Sequence, residues 1–318
     1  MKNIRIKFID WWNGHVPEEN VYCKILSRHF RVELCDNPDY VIDGGLGREY
    51  LKYENAIKIV SVGENFVPDF NFFDYAVGFD RLDFGDRYLR VPLYAFYGEY
   101  SALKNRVPPS PEELLNRGFC SYVVTNSGRA DPLRTAFFKG LSKYKLVASG
   151  GRYMNNVGGP VADKAAFCRG YKFNIAFENC ASPGYVTEKV MQPLTWFSVP
   201  VYYGAPDIEK DFTPECMVRV RDAADVERAI DEIVALDRDD EAYLKRVSAP
   251  CLAEPHGCHM ERLEEFLVKI FDQPLASARR LNIYGYQPVL RGRVRRLSRI
   301  EDLARIPLRA FKKAIGRR

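Results

Sequence analysis

Between Phe173 and Gly204 the chain reads FNIAFENCASPGYVTEKVMQPLTWFSVPVYYG, and this segment leaves few folds open. Phe173 to Phe177 is a short apolar run, and Val199 to Tyr203 is a second one rich in β-branched and aromatic residues; the stretch between them has the length of a loop and a helix. Strand, loop, helix and strand follow in that order. Ser182 is placed to cap the helix and Pro183 suits its first position, where no backbone N–H is needed. Helical spacing then predicts Tyr185, Glu188, Lys189 and Gln192 on one face, with Val186, Val190, Leu194 and Phe197 toward the other. A carboxylate, an ammonium and a phenol are thereby expected beside a helix N-terminus, where α/β sheets hold anions.

The rest of the chain repeats the alternation. Strands are predicted at Ile4 to Ile9, Arg31 to Cys35, Tyr40 to Asp43 and Ala56 to Val62, with an amphipathic helix at Glu18 to Arg28. A second set follows: strand Cys120 to Thr125, helix Asp131 to Lys143, strand Lys145 to Ala148 and helix Ala162 to Arg169. After the segment above come strand Met217 to Val220 and helix Ala223 to Leu236. Strands that alternate with helices imply parallel sheets. RVPPSP at 106–111 carries three prolines in six residues, which neither a helix nor a central strand accepts, so the boundary between two α/β domains is expected there. The expected division is 1–108, 109–272 and a C-terminal extension 273–318.

Charge is unevenly spread. Residues 291–318 hold eleven Lys or Arg against two acids, a local +9 in a chain of net +5, so the body is mildly acidic. No apolar stretch is long enough to span a bilayer, and MKNIRIKFIDWW lacks the apolar core and cleavage site of a signal peptide, so a cytoplasmic location is expected. The eight cysteines are scattered, which suits reduced thiols.

Phe177–Glu178–Asn179, then Tyr185–Val186–Thr187–Glu188–Lys189, then Val199–Pro200–Val201 with Gly204, form a long and specific pattern. It resembles the α1,3/4-fucosyltransferases that use GDP-fucose, glycosyltransferase family 10. VGENFVPDFNFFDYAVGFD (62–80), RYLRVPLY (87–94) and RADPLRTAFF (129–138) resemble the bacterial branch, and the likeness covers about residues 1–215. Cys180 departs from the small hydroxylated residue common there. The resemblance implies the GT-B architecture, two Rossmann-like domains facing a cleft, the first binding the acceptor and the second GDP-fucose. It also implies an inverting α1,3-transfer of L-fucose from GDP-β-L-fucose to the GlcNAc of a Galβ1,4GlcNAc-type glycan, giving a Lewis-x-like product. Three alternatives stay open: another nucleotide sugar, an α1,4 linkage, or a non-enzymatic glycan- or membrane-binding protein.

Such a transfer needs a base for the acceptor hydroxyl and positive charge for the departing diphosphate. Glu64 follows an apolar run, at the end of a strand where α/β enzymes place reacting groups. On the residues alone it stays open between a solvated carboxylate and a reacting one; by resemblance it is the general base, with Glu99 next in line. Arg134 falls in the first turn of a predicted helix. By resemblance Arg134 and Lys189 grip the diphosphate, while Asn179, Tyr185 and Glu188 contact the nucleotide. Glu178 stays open between a ligand contact and a structural cap, and Gly150–Gly151 between a phosphate approach and a turn.

Cys251, His256, Cys258 and His259 match no standard zinc spacing, and the Asp237–Asp239 triplet lies in a charged run rather than at a strand end. No obligatory metal is expected, with Mn²⁺ at most stimulatory. From Ile300 the pattern IEDLARIPLRAFKKAIGRR places Leu308, Phe311 and Ile315 along one side of a basic helix kinked or begun at Pro307. Adsorption of residues 300–318 to an anionic inner-membrane surface is the preferred reading, ahead of packing on the body or a nucleic-acid arm. No groove-reading motif accompanies it, so nucleic acid is not an expected partner.

Overall fold

The computed structural model describes residues 1–126, 128, 130–253 and 258–314, with side chains through residue 304. Among the described residues the strands are β1 (Asn3–Ile9), β2 (Arg31–Leu34), β3 (Tyr40–Asp43), β4 (Ile57–Ser61), β5 (Tyr75–Gly78), β6 (Tyr88–Arg90), β7 (Gly118–Tyr122), β8 (Val147–Ser149), β9 (Tyr171–Phe177), β10 (Val199–Tyr203) and β11 (Val218–Arg219). The helices are α1 (Val21–His29), α2 (Pro111–Leu115), α3 (Leu133–Leu141), α4 (Lys164–Arg169), α5 (Glu188–Thr195), α6 (Val226–Arg238), α7 (Asp240–Ser248), α8 (His259–Asp272), α9 (Leu275–Ala278) and α10 (Tyr286–Ala314). The expected α/β alternation is what forms, and β3 and β10 match the predicted strands residue for residue.

The strands fall into two sheets, ordered β2-β1-β3-β4-β5-β6 and β11-β10-β9-β7-β8. The pairings β1–β2, β1–β3, β3–β4 and β4–β5 are parallel, as are β7–β8, β7–β9, β9–β10 and β10–β11. Covered on both faces, the central strands carry continuous apolar runs: every residue of β3, β5 and β10 is buried. In each sheet the chain starts centrally, steps to one side, then returns past its first strand, so the order reverses between β1 and β3 and between β7 and β9. Such switch points open a crevice at the carboxyl ends of the strands.

The compact units differ from the expected division. One comprises Met1–Gly78, Asp83–Leu89 and Leu263–Arg318; the other comprises Phe79–Leu82 and Arg90–Arg262. The chain therefore changes unit at 78–90 rather than at the prolines. Arg90 bonds Asp211 at 2.8 Å, Tyr94 bonds Asp211 at 3.1 Å, and Arg106 reaches the Leu194 carbonyl at 2.9 Å, so residues 90–106 already belong with the second sheet. Nor is 273–318 a separate extension. Buried Asp74 takes Lys58 N with one oxygen and Arg280 N and Leu281 N with the other, stitching the returning segment to β4. Phe271 packs on Tyr40 with centroids 4.2 Å apart.

Helix α10 begins at Tyr286, upstream of the expected start, and runs on past Pro307. Leu308 and Phe311 lie beyond the described side chains and Ile315 beyond the described residues, so the expected stripe is outside what is described. Among the described residues no helix is long and apolar enough to cross a membrane.

Candidate active site

At the switch point of the second unit a cavity of about 150 Å³ opens between the ends of β7 and β9. Its walls are Val123 to Asn126 after β7, Asn174 to Phe177 and Asn179 on and after β9, and the side chains of Arg134, Lys164, Glu188 and Lys189. Gly151 makes one wall possible: a Cβ there would sit 2.0 Å from the Val124 carbonyl oxygen. The close approach that this glycine permits is thus backbone to backbone.

Arg134 stands in the first turn of α3, 2 % exposed, and donates through one terminal nitrogen to the Phe177 carbonyl at 2.8 Å and the Asn179 side-chain oxygen at 3.0 Å. Its buried Nε has no hydrogen-bond partner among the described residues. A buried guanidinium held by neutral oxygens, with a donor unspent, is equipped for an anion. Helix α3 is set by Asp131, which accepts from Leu133 N at 2.9 Å and from the Tyr203 hydroxyl at 2.5 Å.

The local structure around the FEN and YVTEK motifs departs from the sequence reading. Helix α5 starts at Glu188, capped by Thr187, rather than at Ser182 and Pro183. The intervening loop turns at Gly184, whose φ of +74° favours glycine and whose Cβ would lie 2.6 Å from the Phe79 carbonyl. Tyr185 consequently precedes the helix. It is 2 % exposed, packs edge-on against Phe79 with centroids 4.9 Å apart, and is not among the cavity-lining residues. Glu188, Lys189 and Asn179 do line the cavity.

Glu178, fully buried, accepts from Thr187 N at 2.8 Å, from the Thr187 hydroxyl at 2.8 Å and from Lys189 Nζ at 3.1 Å. Burial drives its pKa up, while Lys189 and the Thr187 donors pull against that. Three donors converging on its oxygens make it the carboxylate that fixes the start of α5, the structural one of its two readings. Gly204 leaves the room, since a Cβ there would meet the Glu178 side chain at 2.6 Å. Burial depresses the Lys189 ammonium, but Glu178 and then Glu188 outweigh it and its pKa is raised. The cation is locked in its charged form at the cavity wall.

Sequence reasoning missed Lys164. It opens α4 behind an Asp163 cap, and its ammonium bonds the neutral Gln192 amide oxygen at 2.8 Å. Burial lowers its pKa, with Glu188 opposing. The aspartate cap and the lysine were visible in the sequence, but nothing there showed that α4 turns this side chain toward Arg134 and Lys189. Together they make three cations around one cavity, with Glu178 already engaged.

Glu64 lies in the first unit, exposed, three residues beyond the end of β4; its carbonyl accepts from Phe66 N at 2.8 Å. It belongs to a different unit from the cavity. Glu99 falls in the 3-10 helix Gly98–Asn105 of the second unit. Of the Cys/His group, Cys251 and His259 are buried and Cys258 exposed, while His256 lies outside the described residues. Among the described residues no three His, Cys, Asp or Glu are grouped to hold a metal. Asp237 is engaged structurally, by Tyr144 and Lys145.

Two parallel α/β units, the second with a cavity lined by Arg134, Lys164 and Lys189 at its switch point, match the GT-B glycosyltransferase fold of solved relatives. A crystal structure of an α1,3-fucosyltransferase with GDP-fucose superposes with a TM-score of 0.72 at 31% identity, covering 86% of this chain and 92% of that one. The model of the α-(1,3)-fucosyltransferase FucT N-terminal domain matches residues 6–97, and that of the glycosyltransferase family 10 (fucosyltransferase) C-terminal region matches 116–248. The chain belongs to glycosyltransferase family 10, the fucosyltransferases. It is 35% identical over 282 residues to the Helicobacter pylori α-(1,3)-fucosyltransferase FucT, covering 76% of this chain and 59% of that protein. It is 31% identical over 193 residues to Bos taurus GDP-fucose protein O-fucosyltransferase 3, covering 55% of this chain and 39% of that protein. The chain thus spans about three fifths or less of the length of these curated relatives.

Proposed function

We propose that the protein is an inverting α1,3-fucosyltransferase that moves L-fucose from GDP-β-L-fucose to the GlcNAc of a Galβ1,4GlcNAc-type glycan. The observation that carries this reading is the cavity at the β7/β9 switch point, where Arg134, Lys164 and Lys189 line one space, Arg134 and Lys164 held by neutral oxygens and Lys189 by Glu178, with Glu188 the one carboxylate among the lining residues. In the reaction the acceptor oxygen bonds to the anomeric carbon as the bond to the diphosphate breaks. Glu64 takes the hydroxyl proton, and Arg134 and Lys189 hold the charge that grows on GDP. Asn179 and Glu188 contact the nucleotide, and Tyr185, packed on Phe79, holds the segment between Gly184 and the start of α5. Three cations supply the compensation a divalent metal gives elsewhere, so Mn²⁺ stimulates at most. Residues 300–318 attach the enzyme to an anionic membrane at the cytoplasmic face of a bacterial cell.

The test is a panel of labelled nucleotide sugars offered with N-acetyllactosamine, N-acetylglucosamine and a peptide acceptor. Transfer from GDP-fucose to the disaccharide is expected. Transfer only from other nucleotide sugars, or only to the peptide, defeats the reading; the peptide is included because of the protein O-fucosyltransferase relatives. Glu64→Gln keeps the shape and removes the proton acceptor, so turnover should fall by about a hundredfold or more with GDP affinity unchanged.

A further inference from the structure

The switch point of the first unit carries features that donor binding and Glu64 leave unexplained. At the end of β1, Asp10 has φ +54°, left-handed for a residue that is not glycine. The conformation is held from several sides: Leu46 N bonds the Asp10 carbonyl at 3.0 Å, Glu49 N bonds its carboxylate at 2.5 Å, and a Cβ on Gly47 would collide with that carboxylate. After the turn Trp11 and Trp12 both pack against His15, with centroids 4.8 and 5.2 Å from its ring. Trp11 is anchored, its indole N–H donating to the Ile42 carbonyl at 3.1 Å and its ring stacked on His15 at 4.8 Å and 16°. His15 is fixed in turn by Asn20 at 2.8 Å.

Trp12 is 59 % exposed although it is far from loose. Trp11 meets it edge-on at 5.5 Å and 77°, and His15 at 5.2 Å and 89°. Both props are near-perpendicular, so they hold the indole plane while leaving ring surface open to solvent. A buttressed, exposed indole offers an aromatic face already held in place, so a ligand that covers it need not order the side chain. The apolar C–H face of a pyranose is such a ligand, with the indole N–H available to a hydroxyl.

Its place in the sheet specifies which sugar. Trp12 lies three residues past the end of β1 and Glu64 three residues past the end of β4. In the order β1-β3-β4 those strands are two steps apart, so their ends are separated by about 10 Å at the usual strand spacing. That is about the length of a disaccharide. We propose that Trp12 is a sugar-stacking subsite, on which the pyranose next to the fucosylated residue lies while the reacting hydroxyl faces Glu64. The inference rests on the transfer reading above. It makes the enzyme a reader of disaccharides rather than of single GlcNAc residues.

Two measurements test it, one with turnover and one without. Trp12→Ala should lower the ratio of kcat/KM for N-acetyllactosamine to that for N-acetylglucosamine by about tenfold, with GDP-fucose KM unmoved. Trp12→Phe, which keeps an aromatic face, should stay within about threefold of wild type. An unchanged ratio, or an equal loss on both acceptors, overturns the subsite. Titrating the disaccharide should also shift the tryptophan emission of the wild type and not of Trp12→Phe. If the wild type transfers no fucose but shows this shift, the subsite stands and the transfer reading fails. If it transfers fucose and shows no shift, the subsite fails alone.

Discussion

Lys189 has two tasks that mutation cannot separate by itself. It faces the donor cavity, and it is the cation that compensates a fully buried Glu178 at 3.1 Å. Lys189→Ala should therefore weaken GDP binding and also destabilise the fold by about 3 kcal/mol, because a buried carboxylate is left without its partner. Adding Glu178→Gln to it should restore much of the stability and none of the GDP affinity, as followed by urea unfolding and GDP titration. A single variant that unfolds like wild type would show Glu178 to be compensated elsewhere. Arg134 carries no such burden, since its partners are neutral oxygens, so Arg134→Gln is the cleaner probe of the donor site. This difference was not legible in the sequence. Both residues read as diphosphate cations there, and the role of Glu178 was undecided, because Gly204 and Thr187 enclose it only once β10 lies beside β9.

Among the elements, the strands were the most legible and the helix starts the least. β3 and β10 are buried on both faces, and their continuous apolar runs mark both ends. Helix α5 was placed five residues early, because Ser182–Pro183 is a good start signal in isolation and Thr187 wins only through Glu178. Of the long helix α10, the sequence predicts only the basic part from Ile300. The helix is tied to the first unit as far as residue 301: Gln287 reaches the Phe70 carbonyl at 3.3 Å, Arg295 pairs with Glu54, and Arg48 with Glu301 at 2.8 Å. On the same helix Leu297, Ile300 and Leu303 are all more than 60 % exposed. The helix is therefore docked through Glu301. Truncation after residue 304 removes six Lys or Arg and no acid, and should leave transfer to a soluble disaccharide intact. Sedimentation with anionic vesicles should fall sharply, at about 1 kcal/mol per lost cation, and the remainder should be screened by salt. Truncation after 284 should instead lower the stability of the first unit. Full vesicle binding by the shorter cut would remove the membrane role, and lost activity would show that residues 305–318 support the body.

For the molecule as a whole, the two units carry buried titrating groups of opposite sign. In the first, Asp43 is fully buried; burial first, then the nearby Asp10 and Glu49, pushes its pKa up to about 7, against one hydrogen bond from Gly45 N. Its native state holds a proton that the unfolded chain releases near the ordinary aspartate value, so stability is fullest below about pH 4 and is lost as pH rises to 7. In the second, His259 is 8 % exposed; burial pulls its pKa down to about 4, with Arg90 adding to that and Asp211 opposing. Here the unfolded chain takes the proton first, so stability present above about pH 6.5 is lost as pH falls toward 4. Each window spans roughly 3 pH units, on the order of 3 to 4 kcal/mol. Between pH 4 and 6.5 the two units should therefore respond oppositely. Trp11 and Trp12 report on the first and Trp196 on the second, so Trp196→Phe and the double Trp11→Phe, Trp12→Phe variant separate the fluorescence melts. Asp43→Asn should flatten the pH slope of the first unit only, and His259→Gln that of the second only. Melts that shift together with pH in every variant would mean that the units unfold as one and that neither group sets the slope.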